Sequence, residues 1–299
     1  PGAVTLMQAF LHQLLSGIAD GAIYASVALA LVMIFKATHQ VNFAQGEMAM
    51  FSTYIALALT QAGVPYWVAF VLTLVFSFVV GLAIQRLLLR QISRMPHANE
   101  LTAVVVFIGL LIIFNGAAGS LFGYTLKEFP TPFDPGAWYG STYLSSHEVG
   151  MIAMTLIVLS IVFAFFRFTR LGLAMRAAAE NPQSSRLVGI KVGWMLALGW
   201  GLAAVLGAVA GMMAAHKVFL DPNMMAGVIL YGFAAALLGG IDNPWGAPIG
   251  GFLVGVLVNL AGAYVVGSHL QQALALLVIV AVLVFRPSGL FGRTVVVRV

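Results

Sequence analysis

The feature that most constrains this chain is a succession of apolar runs, at about 11–35, 43–62, 66–88, 101–122, 149–167, 194–215, 226–240, 247–266 and 270–285. A helix needs about 20 apolar residues to cross the hydrocarbon core of a bilayer. The run 226–240 rises only about 22 Å as a helix, which makes it a candidate partial span. Composition removes the soluble alternative: 62% of the 299 residues are hydrophobic and 8% are charged, whereas a soluble domain carries about a quarter charged residues. The expected fold is an all-α polytopic membrane protein, one transmembrane domain over 1–299 with about 8–9 spanning helices.

Charge placement orients the spans. Of the 14 Lys and Arg residues, only Lys127 and Lys217 fall on one side of this map. Lys36, Arg86, Arg90, Arg94, Arg167, Arg170, Arg176, Arg186, Lys191, Arg286, Arg293 and Arg298 fall on the other. Basic residues accumulate on the cytoplasmic side. The expected N-terminus is therefore outside and the C-terminus cytoplasmic. The loop at about 123–148, rich in Pro and aromatic residues, is then external, and the loop at about 168–193 is cytoplasmic. This distribution also accounts for the net charge of +5 without a nucleic-acid partner. The absence of cysteine excludes disulfides and thiolate metal sites. The opening residues PGAVTLMQAFLHQ lack a basic region and a cleavage site, so the first run is expected to remain as a span.

Two stretches look alike. "VNFAQGEMAMFSTYIALALTQAGVPYWVAFVLTLVFSFVVGL" (41–82) and "FLDPNMMAGVILYGFAAALLGGIDNPWGAPIGGFLVGVLVNL" (219–260) each start polar. Each then runs through small and apolar residues to a closely spaced Pro and Trp and a Gly-bearing span. On the topology above, the halves at about 11–122 and 194–285 start on opposite sides of the membrane, the plan of inverted repeats in transporters. The pairs Gly17/Gly21, Gly119/Gly123, Gly207/Gly211 and Gly251/Gly255 have the spacing that lets helix backbones approach closely in lipid.

Ionisable groups at membrane depth are costly and face partners or wet cavities. Asp20 lies in the first run and Glu47 at the start of the second; Asn42, Asn115 and Asn259 are milder cases. These five are candidate pathway residues. Helix-end placement or a structural hydrogen bond is the competing reading, above all for Glu47, which can cap its helix at the cytoplasmic interface. Two carboxylates do not make a proton relay. The histidines form no metal spacing, His147-Glu148 reads as an interfacial pair, and no G-x-x-x-x-G-K-[ST] phosphate loop occurs. The chain is expected to be no enzyme and to hold no metal or cofactor of its own.

The stretch "MRAAAENPQSSRLVGIKV" (175–192) interrupts this apolar sequence. Leu173–Glu180 is helix-prone, Asn181 suits an N-cap and Pro182 the first helical position. Gly189 can end the turn. The expectation is a short surface helix at about 182–188 that leaves Leu187, Val188 and Ile190 uncovered. Such a helix suits a groove on another protein better than lipid headgroups, because it is too short to bind lipid alone.

The same residues resemble a known family. "RAAAENPQSSRLVGI" (176–190) resembles the coupling loop of ATP-binding cassette importer permeases. "VNFAQGEMAMFSTYIAL" (41–57) and "LYGFAAALLGGIDNPWGAPIGGFLVGVL" (230–257) are similar to the LivH-type permeases of branched-chain amino acid transporters. The resemblance covers essentially the whole chain. It implies a bacterial inner-membrane permease for leucine, isoleucine or valine, paired with a related LivM-type subunit. It further implies two cytoplasmic ATPase subunits that hold ATP and Mg, and a periplasmic binding protein that delivers substrate. Arg176, Glu180, Asn181, Pro182, Arg186, Leu187, Val188 and Gly189 would form the ATPase-coupling loop. Glu180 follows the alanines here, whereas the usual loop pattern has it before them. Related permeases carry urea, short amides or sugars. An ion-coupled secondary transporter is the alternative outside this class.

Overall fold

The computed structural model describes residues 2–38, 40–92, 100–137, 139–141 and 143–292. Arg94, Arg293 and Arg298 of the charge map lie outside these residues. Among the described residues the regular structure is helical, joined by turns and loops, apart from an isolated antiparallel bridge between Lys127 and Leu220.

Each expected run is a helix. We number them α1 (Gly2–Thr38), α2 (Gln45–Gln61), α3 (Tyr66–Ala83), α4 (Glu100–Phe122), α5 (Ser146–Phe168), α6 (Arg170–Glu180), α7 (Pro182–Leu187), α8 (Val192–Val218), α9 (Met225–Gly239), α10 (Gly246–Ala261) and α11 (Gln271–Phe285). A π-helical turn, Ile84–Leu89, prolongs α3, and another, Gly262–Val266, prolongs α10. Spans Met7–Lys36, Tyr66–Ile92, Leu101–Phe122, Ser146–Phe168, Val192–Val218 and Gly246–Val266 are long and apolar enough to cross a membrane; α9 and α11 are shorter.

The helices gather into two compact units. The first contains residues 1–32, 131–156 and 226–299; the second contains 33–130 and 157–225. Thus α9, α10 and α11 are grouped with most of α1, while α2, α3 and α4 are grouped with α8.

In the first unit the small-residue pairs do the work their spacing suggests. Gly17 and Gly21 face the α10 backbone at Val256 and Phe252, and Gly251 and Gly255 face Ala25, Gly21 and Gly17 in return. A Cβ at Gly21 would come within 2.8 Å of the Phe252 Cα. This close approach is the source of packing energy where lipid leaves no hydrophobic drive between helices. Next to it, Tyr24 and Tyr231 lie ring against ring, 4.9 Å apart.

In the second unit α8 lies against α2 and α3. Gly207 faces Gln45, Gly211 faces Ala49 and Thr53, and Gly201 faces Phe78. Gly81 of α3 approaches the Trp200 carbonyl oxygen and Ala204. Fully buried Trp200 stacks on Phe107, with centroids 5.8 Å apart. One expected pair fails. Gly119 faces the ring of Tyr124, and Gly123 ends α4 with φ +81° and open space around it. Gly119/Gly123 therefore serves the chain's exit from α4, not helix packing.

Candidate functional site

The loop 168–193 folds as its punctuation dictates. Thr169 caps α6: its Oγ1 accepts a hydrogen bond from Gly172 N at 2.9 Å. Gly172, Met175 and Ala178 are buried along one stripe of α6, while Leu171, Leu173 and Arg176 are exposed. Asn181 then breaks the helix in an extended conformation, φ −143° and ψ 93°. Its Oδ1 accepts from Ser184 N at 2.9 Å, and Pro182 occupies the first turn, where no N–H is required. Gly189 terminates α7 with φ +83°, a conformation L side chains adopt only with strain. Ile190 N donates back to the Ser185 carbonyl at 3.0 Å.

The result is a one-and-a-half-turn helix anchored on one side and bare on the other. Ser185 is buried, whereas Leu187 and Val188 are 89% and 76% exposed. Asn181, Pro182, Arg186 and Gly189 are exposed as well. Glu180 pairs with Lys36 of the α1 end at 4.0 Å, a solvent-exposed contact of small energy. Where α3 unwinds into its π turn, the Arg86 guanidinium lies 3.9 Å above the ring of Trp194, near the start of α8.

The polar residues of the apolar helices fall into two separate groups. In the first unit, Asn259 Nδ2 of α10 donates to Asp20 Oδ2 of α1 at 3.2 Å. Tyr24 and Tyr231 lie within electrostatic reach of this carboxylate.

In the second unit, Glu47 is 8% exposed and reaches Asn115 of α4, whose Nδ2 lies 3.4 Å from Glu47 Oε2. The same amide donates to the Pro222 carbonyl at 2.9 Å and to Asn223 Oδ1 at 3.2 Å. Asp221 acts electrostatically on Glu47 and on Tyr54. Glu47 is thus turned toward the middle of α4. The non-helical 40–44 segment lies ahead of α2. Asn42 is fully buried there; its Oδ1 accepts from Ala44 N at 3.1 Å and its Nδ2 lies 3.4 Å from Gln45 Oε1. Gln45 Nε2 in turn donates to the Ala203 carbonyl of α8 at 2.9 Å. Asn42 spends its polar atoms on building the start of α2.

The structure therefore brings Asp20 to Asn259 and Glu47 to Asn115, and it adds Asp221, Asn223, Tyr24, Tyr54 and Tyr231. Asp221-Pro222-Asn223 carried a signal as the polar start of the second similar stretch. The tyrosines carried none, since an aromatic residue in an apolar helix is ordinary. His147 meets Thr131 Oγ1 at 2.9 Å, and Glu148 accepts from Ser145 N at 2.9 Å and from Ser16 Oγ at 3.1 Å; both hold the start of α5. Among the described residues no group of His, Cys, Asp and Glu could hold a metal ion.

Comparison with known proteins shows the family of the chain. A family model described as "Branched-chain amino acid transport system / permease component" matches residues 13–285. The high-affinity branched-chain amino acid transport system permease protein BraD of Pseudomonas aeruginosa is 29% identical, over 97% of this chain and 98% of that protein. LivH of Escherichia coli K12, with the same description, is 28% identical over the same shares. A probable branched-chain amino acid transport permease protein LivH from Methanocaldococcus jannaschii is 26% identical over 92% of each chain.

Proposed function

The chain belongs to the permease-component family of branched-chain amino acid transport systems, and from that membership we propose that it lines part of an ATP-driven import pathway for leucine, isoleucine or valine. It lies in the bacterial inner membrane with its N-terminus outside and its C-terminus cytoplasmic, as the basic residues favour. A LivM-type permease stands beside it, two ATPase subunits bind the cytoplasmic face, and a periplasmic protein delivers the substrate. ATP and Mg reside on the ATPases.

The observation that carries this reading is α7. A helix this short has no independent stability. Here the Asn181 cap and the Gly189 exit hold it while Leu187 at its end and Val188 just after it are left exposed. That is the form of a docking element. ATP-driven closure of the ATPase pair would push α7, and α6 would carry the movement to α8, against which it packs. Alternating access follows if the attached helices tilt between two arrangements.

The inverted-repeat reading gains support from packing. When 41–82 and 219–260 are aligned end to end, Trp67 falls on Trp245, Thr73 on Gly251, Ser77 on Gly255 and Gly81 on Asn259. At the ends of these aligned stripes a helix of the other half packs, α8 on Gly81 of α3 and α1 on Gly251 and Gly255 of α10, while Ser77 of α3 meets Ser52 of α2. Each unit so combines the later helices of one half with the first helix of the other.

Purification of the intact complex from its native membrane tests the proposal. Two ATPase subunits and a second permease should accompany this chain. Recovery of the chain as a stable homo-oligomer without an ATPase would contradict it.

A further inference from the structure

We infer that Glu47, Asp221, Asn115, Asn223 and Tyr54 form a subsite for the ammonium group of an amino acid in transit. The inference rests on the transport function proposed above and names the residues that would meet the substrate.

The first argument is a count of donors. Asn115 Nδ2 carries two hydrogens yet has three acceptors in reach, Glu47 Oε2, the Pro222 carbonyl and Asn223 Oδ1. Asp221 adds a second carboxylate within electrostatic reach of Glu47. Among the described residues neither Glu47 nor Asp221 has an ion-pair partner. The group holds two carboxylates and no basic side chain. An ammonium brings three N–H donors and one positive charge, which is the complement required. A purely structural cluster would be expected to balance its own charge, because an uncompensated carboxylate at membrane depth is destabilising.

The second argument is Tyr54. It is fully buried, its Oη has no hydrogen-bond partner, and it feels Asp221. Glu47 and Tyr54 lie two helical turns apart on one face of α2. A buried hydroxyl left unsatisfied carries a cost that a polar ligand would remove.

The third argument is the wall beside the cluster. Phe51, one turn from Glu47, contacts Phe114 at 5.5 Å and Phe122 at 6.4 Å, and Tyr54 stacks on Phe122 at 4.7 Å. Phe114 immediately precedes Asn115. Carboxylates next to an aromatic surface fit an aliphatic amino acid better than a bare inorganic cation, since the side chain can lie on the rings.

The chain has no cysteine, so a single introduced thiol reports cleanly. Asn223 is exposed at the edge of the cluster. In membrane vesicles holding the full transporter, Asn223→Cys is labelled with a trimethylammonium methanethiosulfonate, with and without leucine. Leucine should slow labelling by about tenfold, and this protection should vanish when Glu47→Gln is added. A thiol at exposed Leu126, placed by Leu126→Cys, should be indifferent to leucine. In parallel, Glu47→Gln alone should lower leucine uptake by about tenfold while the amount of assembled transporter in the membrane stays the same. Labelling that leucine leaves unchanged, or uptake that Glu47→Gln leaves unchanged, overturns the subsite. If the unaltered complex transports leucine and labelling is not slowed, only the subsite fails. If leucine protects the thiol but ATP drives no uptake, the subsite stands and the importer function fails.

Discussion

Asn181 Oδ1 accepts a hydrogen bond from the amide of Ser184 at 2.9 Å, and this contact separates α6 from α7. Pro182 already bars one continuous helix through 175–192, and the cap fixes where α7 begins. With it, the exposed Leu187 and Val188 are held at a fixed angle to the buried stripe of α6.

Asn181→Ala should therefore destabilise α7 by about 1 kcal/mol and reduce the amount of ATPase that co-purifies, whereas Asn181→Asp, which caps equally well, should not. Amide exchange at Ser184–Leu187 reads the cap directly. Fast exchange with undiminished ATPase recovery would separate the cap from docking.

Val188→Asp and Arg186→Glu alter only exposed surface. Both should weaken ATPase docking, by about 1–3 kcal/mol for an apolar anchor made charged, while the permease still inserts in the membrane at normal levels. Co-purification with tagged ATPase measures this. An unchanged yield of complex would remove these residues from the docking surface.

Gly21→Leu should lower thermal stability in detergent, because its side chain would meet the α10 backbone at Phe252; overpacking costs about 1–3 kcal/mol. Gly116→Ala in α4 has open space around it and should be neutral or slightly stabilising, given the better helix propensity of alanine. Equal melting temperatures for Gly21→Leu and the unaltered protein would refute the close α1–α10 approach.

Asp20→Ala leaves the Asn259 amide without this acceptor and should reduce stability by about 1–3 kcal/mol along with flux. Asp20→Asn keeps an oxygen at that position and should fold. Normal expression with full flux in Asp20→Ala would take Asp20 off the pathway and out of the structural network.

Much of this architecture was legible in the residue order. Apolar runs fix where helices lie in lipid, and the Asn-Pro…Gly punctuation defines α7 by local rules alone. Partnerships across the fold were not. Asp20 and Asn259 are near opposite ends of the chain, and nothing local in either run names the other. Glu47 stood between a pathway residue and an interfacial cap, because its place at the start of an apolar run suits both. The fold instead sets it against Asn115 of α4, and only tertiary contact reveals that. Gly119/Gly123 has the right spacing for packing but the wrong direction, since spacing does not say which face meets a neighbour.

ATP-dependent uptake tests the central claim most directly. Radiolabelled leucine uptake is followed in proteoliposomes that contain this chain, the second permease and the ATPase pair, with the substrate-loaded binding protein on the permease's outer face. The account predicts uptake that requires ATP, the binding protein and an intact α7, and that does not respond to proton or sodium gradients. Uptake that persists without the ATPase and follows an ion gradient would contradict it.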